Sequence, residues 1–313
     1  MGKIATRDAY GEALVEYGKD NENIIVLDAD LAKATKTITF KKAVPERHFD
    51  MGIAEGNMMT FAAGLATTGK VVFASTFAMF ASARACEQIR NSICYPKLNV
   101  KVAATHAGLT VGEDGASHQC IEDIAIMRAL PNMTVISPCD GLETNRAIKA
   151  AIEYNGPVYI RLGRSAVEDV HDPETYQFEI GKGVQVREGN DVTLVATGLM
   201  VQESLKAADL LKADGIDARV IDIHTIKPID KEILVKASKE TGAIVTAEEH
   251  NISGGLGSAV AEVICQNAPC PINMVAVQEK FGTSGTPAAL LEKYGLTAKN
   301  IAEKAKEAIA AKL

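Results

Sequence analysis

Short apolar runs rich in β-branched residues alternate with amphipathic stretches along the whole chain. The apolar runs predict strands at 24–28, 70–74, 100–105, 133–137 and 158–162, and then at 192–197, 218–223, 243–247 and 273–277. The spacing of apolar residues between them predicts helices at 7–17, 55–67, 142–154 and 201–213. Near-continuous apolar strands separated by helices are typical of parallel sheets covered on both faces. The sequence therefore predicts an α/β fold.

A change in composition divides this pattern into two parts. The segment 165–183 is richer in Asp, Glu and Pro and ends in Gly-Lys-Gly, which predicts a connector. At 313 residues, the chain is also longer than one hydrophobic core comfortably supports. We therefore expect two domains, each a mainly parallel sheet flanked by helices, at 1–165 and 184–313, with a linker at 166–183. A final helix is expected from about Thr297.

Charge and cysteine content argue against several classes of function. The formal net charge of −7 leaves no basic stripe to collect the phosphates of nucleic acids or membrane surfaces. No apolar stretch approaches the roughly 20 residues that a membrane span needs. The six cysteines include no Cys-x-x-Cys pair, and no His or Cys pair has zinc-ligand spacing. We expect reduced thiols, a cytoplasmic location and no metal ligands on this chain.

Two segments bring chemically useful side chains to the ends of predicted strands. The segment 48–57 (His-Phe-Asp-Met-Gly-Ile-Ala-Glu-Gly-Asn) places Glu55 in the first turn of a helix, at the edge where open α/β sheets bind ligands. On position alone, a helix-dipole contact worth about 0.3–1 kcal/mol is the favoured explanation. Phe77 and Phe80 lie three residues apart on one face of a short helix predicted to start at Phe77, at the end of a strand. They suit stacking on a planar ring, or simply the core.

A polar loop at 106–119 follows another predicted strand. It holds His106, His118, two acids and three glycines, and glycines let backbone approach a small polar ligand. This composition favours a functional loop over a purely structural one, and its spacing matches no standard metal-ligand set. Arg161 and Arg164 lie at the end of the predicted strand 158–162, where they fit either an anion clamp or surface charges.

In this order, the segments resemble the C-terminal half of transketolase, its pyrimidine-binding domain plus its C-terminal domain. The resemblance covers essentially the whole chain, and the loop 112–119 (Gly-Glu-Asp-Gly-Ala-Ser-His-Gln) is its most specific element. The Gly-Ile-Ala-Glu stretch at 52–55 is shared with related thiamine enzymes, including deoxyxylulose phosphate synthase. The resemblance implies the thiamine diphosphate-binding fold and a transferase that moves a two-carbon ketol unit between ketose and aldose phosphates in the pentose phosphate pathway.

The resemblance also implies a cofactor-binding set. Glu55 matches the glutamate that hydrogen-bonds the aminopyrimidine N1′ atom and activates the cofactor. Phe77 and Phe80 match the aromatic pocket around the pyrimidine ring. Transketolases often carry a third aromatic one turn later, and Ala83 stands there in this chain, which leaves a looser pocket.

Further residues match positions that handle the sugar. His106 and His118 match catalytic histidines near the reacting carbon and the sugar hydroxyls, and such groups suit proton transfer and polar recognition. His118 and Asp114 are expected to bind substrate, Asp114 by reading a donor hydroxyl. Arg7 and Arg164 match positions that hold the sugar phosphate, where a guanidinium can grip two oxygens at once.

The sequence departs from the family pattern at two places, and these departures bear on phosphate binding and on the need for a partner chain. The serine expected near Ala34 is missing, and Thr35 is the nearest substitute. The Gly-Asp-Gly and following Asn that normally anchor diphosphate and Mg²⁺ are absent. We therefore expect a separate N-terminal subunit to carry the diphosphate-binding domain and the Mg²⁺ ligands, in a heterotetramer. The alternatives are a β-type subunit of a 2-oxo acid dehydrogenase, part of deoxyxylulose phosphate synthase, or a non-catalytic assembly or regulatory partner.

Overall fold

A computed structural model of the chain describes residues 2–312, and its elements form an α/β fold with parallel sheets flanked by helices. The strands of the first half are β1 Lys3–Ala5, β2 Ile24–Asp28, β3 His48–Asp50, β4 Val71–Phe77, β5 Val100–Thr105, β6 Thr134–Ile136, β7 Val158–Arg161 and β8 Ala166–Glu168. Its helices are α1 Thr6–Gly18, α2 Ala32–Thr35, α3 Ile38–Ala43, α4 Glu55–Ala66, α5 Cys86–Gln88, α6 Asp123–Ala129 and α7 Gly141–Glu153. Two π-helical turns, Phe80–Arg84 and Ile89–Cys94, flank α5. The predicted fold class is confirmed.

The second half repeats the alternation of strands and helices. Its strands are β9 Val184–Arg187, β10 Val192–Ala196, β11 Ala218–Asp222, β12 Thr225–Lys227, β13 Ile244–Asn251 and β14 Ile272–Val277. Its helices are α8 Met200–Ala213, α9 Lys231–Thr241, α10 Leu256–Asn267, α11 Pro287–Lys293 and α12 Ala298–Ala310. Local signals set these boundaries. Asp230 caps α9 by accepting from two backbone N–H groups, and Gly242 ends it with a φ of 68°.

The larger sheet has seven strands in the order β12-β6-β7-β5-β4-β2-β3. Strands β2 to β7 pair in parallel, and β2 and β5 are buried along their whole length. The edge strand β12 comes from the second half of the chain and pairs antiparallel with β6, with Thr225 opposite Ile136. A strand of the second half therefore completes the sheet of the first.

The smaller sheet has five strands in the order β14-β13-β10-β11-β9, and only its edge strand β9 runs antiparallel. The strands β1 and β8 form a separate antiparallel pair, with Lys3 opposite Glu168. All nine predicted strands exist, whereas the three- and four-residue strands β1, β8, β9 and β12 were not predicted. The division at 165 and 184 stays a prediction. Within residues 2–312, no helix has both the length and the apolar character needed to cross a membrane.

Candidate active site

Glu55 lies where the short strand β3 gives way to α4, as its first helical residue. Its side chain is buried, with 2% of its surface exposed. Arg84 Nη1 donates to both carboxylate oxygens, at 2.9 Å to Oε1 and 3.0 Å to Oε2. The Arg84 guanidinium is itself half-exposed and lies 4.4 Å above the centre of the Phe80 ring. The acid is therefore held by a cation that also covers an aromatic side chain.

Phe77 and Phe80 form a stacked pair, with ring centres 5.7 Å apart and ring planes 14° from parallel. Phe77 is the last residue of β4, which confirms its predicted place at the end of a strand and corrects the prediction that it lies within a helix. Phe80 begins the π-helical turn that ends at Arg84. Such turns widen a helix by one residue and often occur at functional sites. This one carries Phe80 and Arg84 on adjoining surfaces.

His106 follows β5 in a left-handed conformation, with a φ of 58°, which is uncommon for a residue other than glycine. Its ring stacks on Phe77 at 3.9 Å between centres. Nδ1 contacts Thr105 Oγ1 at 2.9 Å, and Nε2 lies 3.0 Å from Arg7 Nη1. Because arginine can only donate, Nε2 must carry a lone pair, so the ring is neutral. Burial, and after it the charges of Arg7 and Arg164, lowers the pKa of His106 to about 3.

His118 faces the same aromatic pair edge-on, with ring centres 5.5 Å from Phe80 and 6.2 Å from Phe77. It is partly exposed, and its Nδ1 contacts Ser117 Oγ at 3.0 Å. Asp114 lies exposed on the same loop and makes no hydrogen bond to these side chains within the described residues. We refer to Glu55, Arg84, Phe80, Phe77 and His106, which contact one another in sequence, as the acid–aromatic cluster.

A residue from the second half of the chain holds the loop that carries His118. Glu249 of β13 accepts from Thr110 N at 2.5 Å and from Thr110 Oγ1 at 3.3 Å. Burial raises the pKa of Glu249 to about 7, partly offset by Arg161. Gly108 has a φ of 81°, and a Cβ placed on it would lie 2.3 Å from the Glu249 carboxyl carbon. Only glycine fits at this contact.

The two arginines expected to bind phosphate differ in their availability. Arg7 is mostly buried, and its Nη1 contacts the carbonyl of Ala34 at 3.1 Å as well as His106. Arg164 is 37% exposed, and its Nη1 donates to the Val111 carbonyl at 2.5 Å and to Glu113 at 3.2 Å. Arg164 is therefore the more accessible of the two to an anion.

Arg161 and Thr35, two other polar residues considered from the sequence, have their partners in the protein interior. Arg161 is 7% exposed and forms an ion pair with the fully buried Asp123 at 2.8 Å, so it is neither an anion clamp nor a surface charge. Thr35 donates to the buried Asp28 at 2.6 Å, so its hydroxyl does not replace the missing serine. Burial, against three hydrogen bonds from neighbouring residues, raises the pKa of Asp28 to about 6.

The sequence did not indicate Arg84. Its position four residues after Phe80 would suit a contact one helical turn away, but its pairing with Glu55 depends on the π-helical turn. The cluster fits one end of an aromatic, hydrogen-bonding cofactor, because a buried acid adjoins a stacked aromatic pair. It offers nothing for a metal. In residues 2–312, the His, Cys, Asp and Glu side chains that converge closely enough to hold an ion are Cys139, Glu143, His171 and Asp222, none of them in the cluster.

Comparison with known families shows which family the chain belongs to. Residues 2–169 match the family model of the transketolase pyrimidine binding domain, and residues 181–301 match that of the transketolase C-terminal domain. The chain belongs to the transketolase family. This confirms the resemblance on which the site assignments depend, and family membership implies dependence on thiamine diphosphate.

Individual relatives show which part of a transketolase this is. The chain is 54% identical to the putative transketolase C-terminal section of Methanocaldococcus jannaschii, over 96% of this chain and 95% of the relative. It is 44% identical to the 6-deoxy-6-sulfo-D-fructose transketolase subunit SqwH of Clostridium sp. MSTE9, over 96% and 93%. A solved structure described as a split gene transketolase, inactive beta4 tetramer, is 58% identical, with a TM-score of 0.93 over 99% of this chain and 100% of that one. The chain is thus a C-terminal subunit of the split transketolase type, which implies a separate partner subunit.

Proposed function

We propose that this chain works with an N-terminal partner chain to move a two-carbon ketol unit from a ketose phosphate to an aldose phosphate. The observation that carries the proposal is the acid–aromatic cluster, in which a buried carboxylate, two stacked rings and a neutral histidine adjoin at the edge of a parallel sheet. When bound, thiamine diphosphate supplies the nucleophilic carbon that takes up the ketol unit.

Glu55 and the phenylalanines hold the pyrimidine end of the cofactor. Phe77 and Phe80 present an aromatic surface on which the ring stacks. Each carboxylate oxygen of Glu55 has two lone pairs, so the hydrogen bonds from Arg84 leave room for one more at the ring nitrogen. Glu55 then holds and exchanges a proton at that nitrogen, while Arg84 fixes the orientation of the carboxylate.

The histidines and arginines act on the sugar. Neutral His106 is positioned by Arg7 and Thr105 and offers a polar, uncharged ring at the reacting carbon. His118 and Asp114 lie on the more exposed loop, where they read sugar hydroxyls. Arg164 binds the phosphate by exchanging its contact with Glu113 for the anion. Arg7 contributes charge to the same region.

The partner chain supplies the other end of the cofactor site. This chain lacks the Gly-Asp-Gly and Asn pattern, so the diphosphate contacts and the Mg²⁺ ligands lie on the N-terminal subunit, in a complex with two copies of each chain. A relative described as an inactive beta4 tetramer supports the inference that this chain alone does not turn over. Since another relative is named for a sulfosugar, the sugar must be identified by assay.

The test is a ketol-transfer assay on this chain co-expressed with an N-terminal transketolase subunit from the same source. Xylulose 5-phosphate and ribose 5-phosphate are supplied with thiamine diphosphate and Mg²⁺. We expect activity only from the complex, and we expect Glu55→Gln to lower kcat by at least about 10²-fold. Glu46→Gln is the matched control, because Glu46 is exposed and lies outside the cluster.

Three results bear against the proposal. Near-normal turnover by the Glu55→Gln complex would remove the acid–aromatic cluster from the mechanism. Turnover by this chain alone would remove the need for a partner. Decarboxylation of pyruvate by a complex that ignores ketose phosphates would favour the dehydrogenase or deoxyxylulose phosphate synthase alternative.

A further inference from the structure

Four buried side chains converge where the two halves of the chain meet. Cys139 precedes α7, Glu143 lies in its first turn, His171 belongs to the segment after β8, and Asp222 ends β11. One ligand atom from each lies within 4.8 Å of all the others. We propose that Cys139, Glu143, His171 and Asp222 bind a zinc ion that joins the two halves.

The three distances from His171 Nε2 are close to those between the ligands of a tetrahedral ion. His171 Nε2 lies 3.6 Å from Cys139 Sγ, 3.3 Å from Glu143 Oε1 and 3.1 Å from Asp222 Oδ2. Ligand atoms about 2.0–2.3 Å from a tetrahedral zinc ion stand roughly 3.3–3.7 Å from one another. Thiolate, imidazole and carboxylate are all zinc ligands, and the combination with a cysteine disfavours Mg²⁺ and Ca²⁺.

Hydrogen bonding alone accounts poorly for this arrangement. Two carboxylate oxygens and one thiol sulfur surround a single ring nitrogen of His171, and that nitrogen carries at most one hydrogen. Asp222 Oδ1 is buried without a hydrogen-bond partner. Within residues 2–312, neither Glu143 nor Asp222 has a lysine or arginine partner. Buried carboxylates need compensating charge; a protonated His171 compensates one of the two, whereas a divalent cation at the centre compensates both.

Outer contacts hold the ligands in place, as is usual around protein-bound metals. Cys139 N donates to Glu143 Oε2 at 2.7 Å, and the Tyr176 hydroxyl donates to Glu143 Oε1. The Tyr176 ring stacks on the His171 ring with centres 3.9 Å apart. The sequence did not indicate this site, because its ligands lie on three separate segments and only Cys139 and Glu143 are close along the chain. This site is independent of the proposed ketol transfer.

The test begins with the metal content of the full chain, produced without a metal-binding tag in zinc-containing medium and dialysed against EDTA. We expect about one zinc per chain, because the ligands are buried and come together only on folding. The chain produced with Co²⁺ in place of zinc should show the intense visible bands of tetrahedral cobalt and a sulfur-to-cobalt charge-transfer band. A folded native chain with neither zinc nor these bands would overturn the proposal.

Substitutions test which side chains bind the zinc ion. Cys139→Ser should remove the charge-transfer band and retain at least tenfold less zinc through dialysis, and His171→Asn should also lose the metal. Cys265→Ser, which changes an exposed thiol, is the matched control and should keep both signals. If folded Cys139→Ser retained as much zinc as the native chain, the proposed site would be wrong. If that variant does not fold, His171→Asn decides: a folded His171→Asn chain that keeps the native zinc content and cobalt bands would overturn the site.

Discussion

Acid should destabilise this chain through His106, and His106→Gln should remove that effect. Burial and the neighbouring arginines lower the pKa of His106 from 6.5 to about 3. Below pH 6.5, the unfolded chain therefore takes up a proton that the folded ring refuses, and stability is lost as the pH falls from 6.5 towards 3. With these two pKa values, proton uptake by the unfolded chain lowers the free energy of unfolding by about 2 kcal/mol between pH 8 and pH 5. Glutamine does not titrate, and its amide oxygen can still accept from Arg7.

The assay compares urea unfolding at the two pH values for the native chain, His106→Gln and His118→Gln. Each variant differs from the native chain in one titrating group, so the difference between native and variant isolates one side chain. The loss of stability between pH 8 and pH 5 should be about 2 kcal/mol smaller for His106→Gln than for the native chain. His118→Gln is the matched control, because it changes a more exposed ring beside the same aromatic pair.

NMR of the histidine rings provides an independent readout. The signal that disappears in His106→Gln should not titrate between pH 8 and pH 5. The reasoning is refuted if that signal titrates near pH 6.5, or if the native chain and His106→Gln lose the same stability over this range. Either outcome would mean that Arg7 does not hold the ring in its neutral form.

Three further substitutions test the packing around the site. Asp123→Ala leaves Arg161 as a buried, unpaired charge and should lower the free energy of unfolding by about 3–5 kcal/mol; Tyr159→Phe, which removes only one hydrogen bond to Asp123, should cost about 1 kcal/mol in the same urea titration. Gly108→Ala forces a side chain into a left-handed conformation against Glu249 and should cost at least about 1–3 kcal/mol and reduce ketol transfer; unchanged stability and turnover would show that the loop does not need this contact.

The longer strands were predictable because each is a run of apolar, β-branched residues long enough to stand out. Strands β2 and β5 match the predicted ranges at both ends. The edge strand β12 was not predictable, because three residues carry no period and its partner β6 lies far away in sequence. Which strands become neighbours is decided by tertiary packing, which local composition does not encode.

The site was predictable where a motif carries the chemistry and unpredictable where a distant partner does. Glu55, Phe77 and His106 were located by their positions after strands, and they are brought together. Arg84 was missed, because its contact with Glu55 depends on a π-helical turn. Arg161 remained ambiguous, because a basic residue at a strand end looks the same whether it meets solvent or the buried Asp123.

Strand β12, which the second half adds to the sheet of the first, has a consequence for folding during synthesis. During synthesis β6 leaves the ribosome long before β12, so the larger sheet waits with an uncovered edge until residues 225–227 emerge. Unpaired strand edges are templates for pairing with other chains. A fragment that stops before β12 would keep this edge permanently and should self-associate, whereas the full chain covers it with its own later sequence. The second half thus covers the edge of the same sheet on which helix α4 presents Glu55.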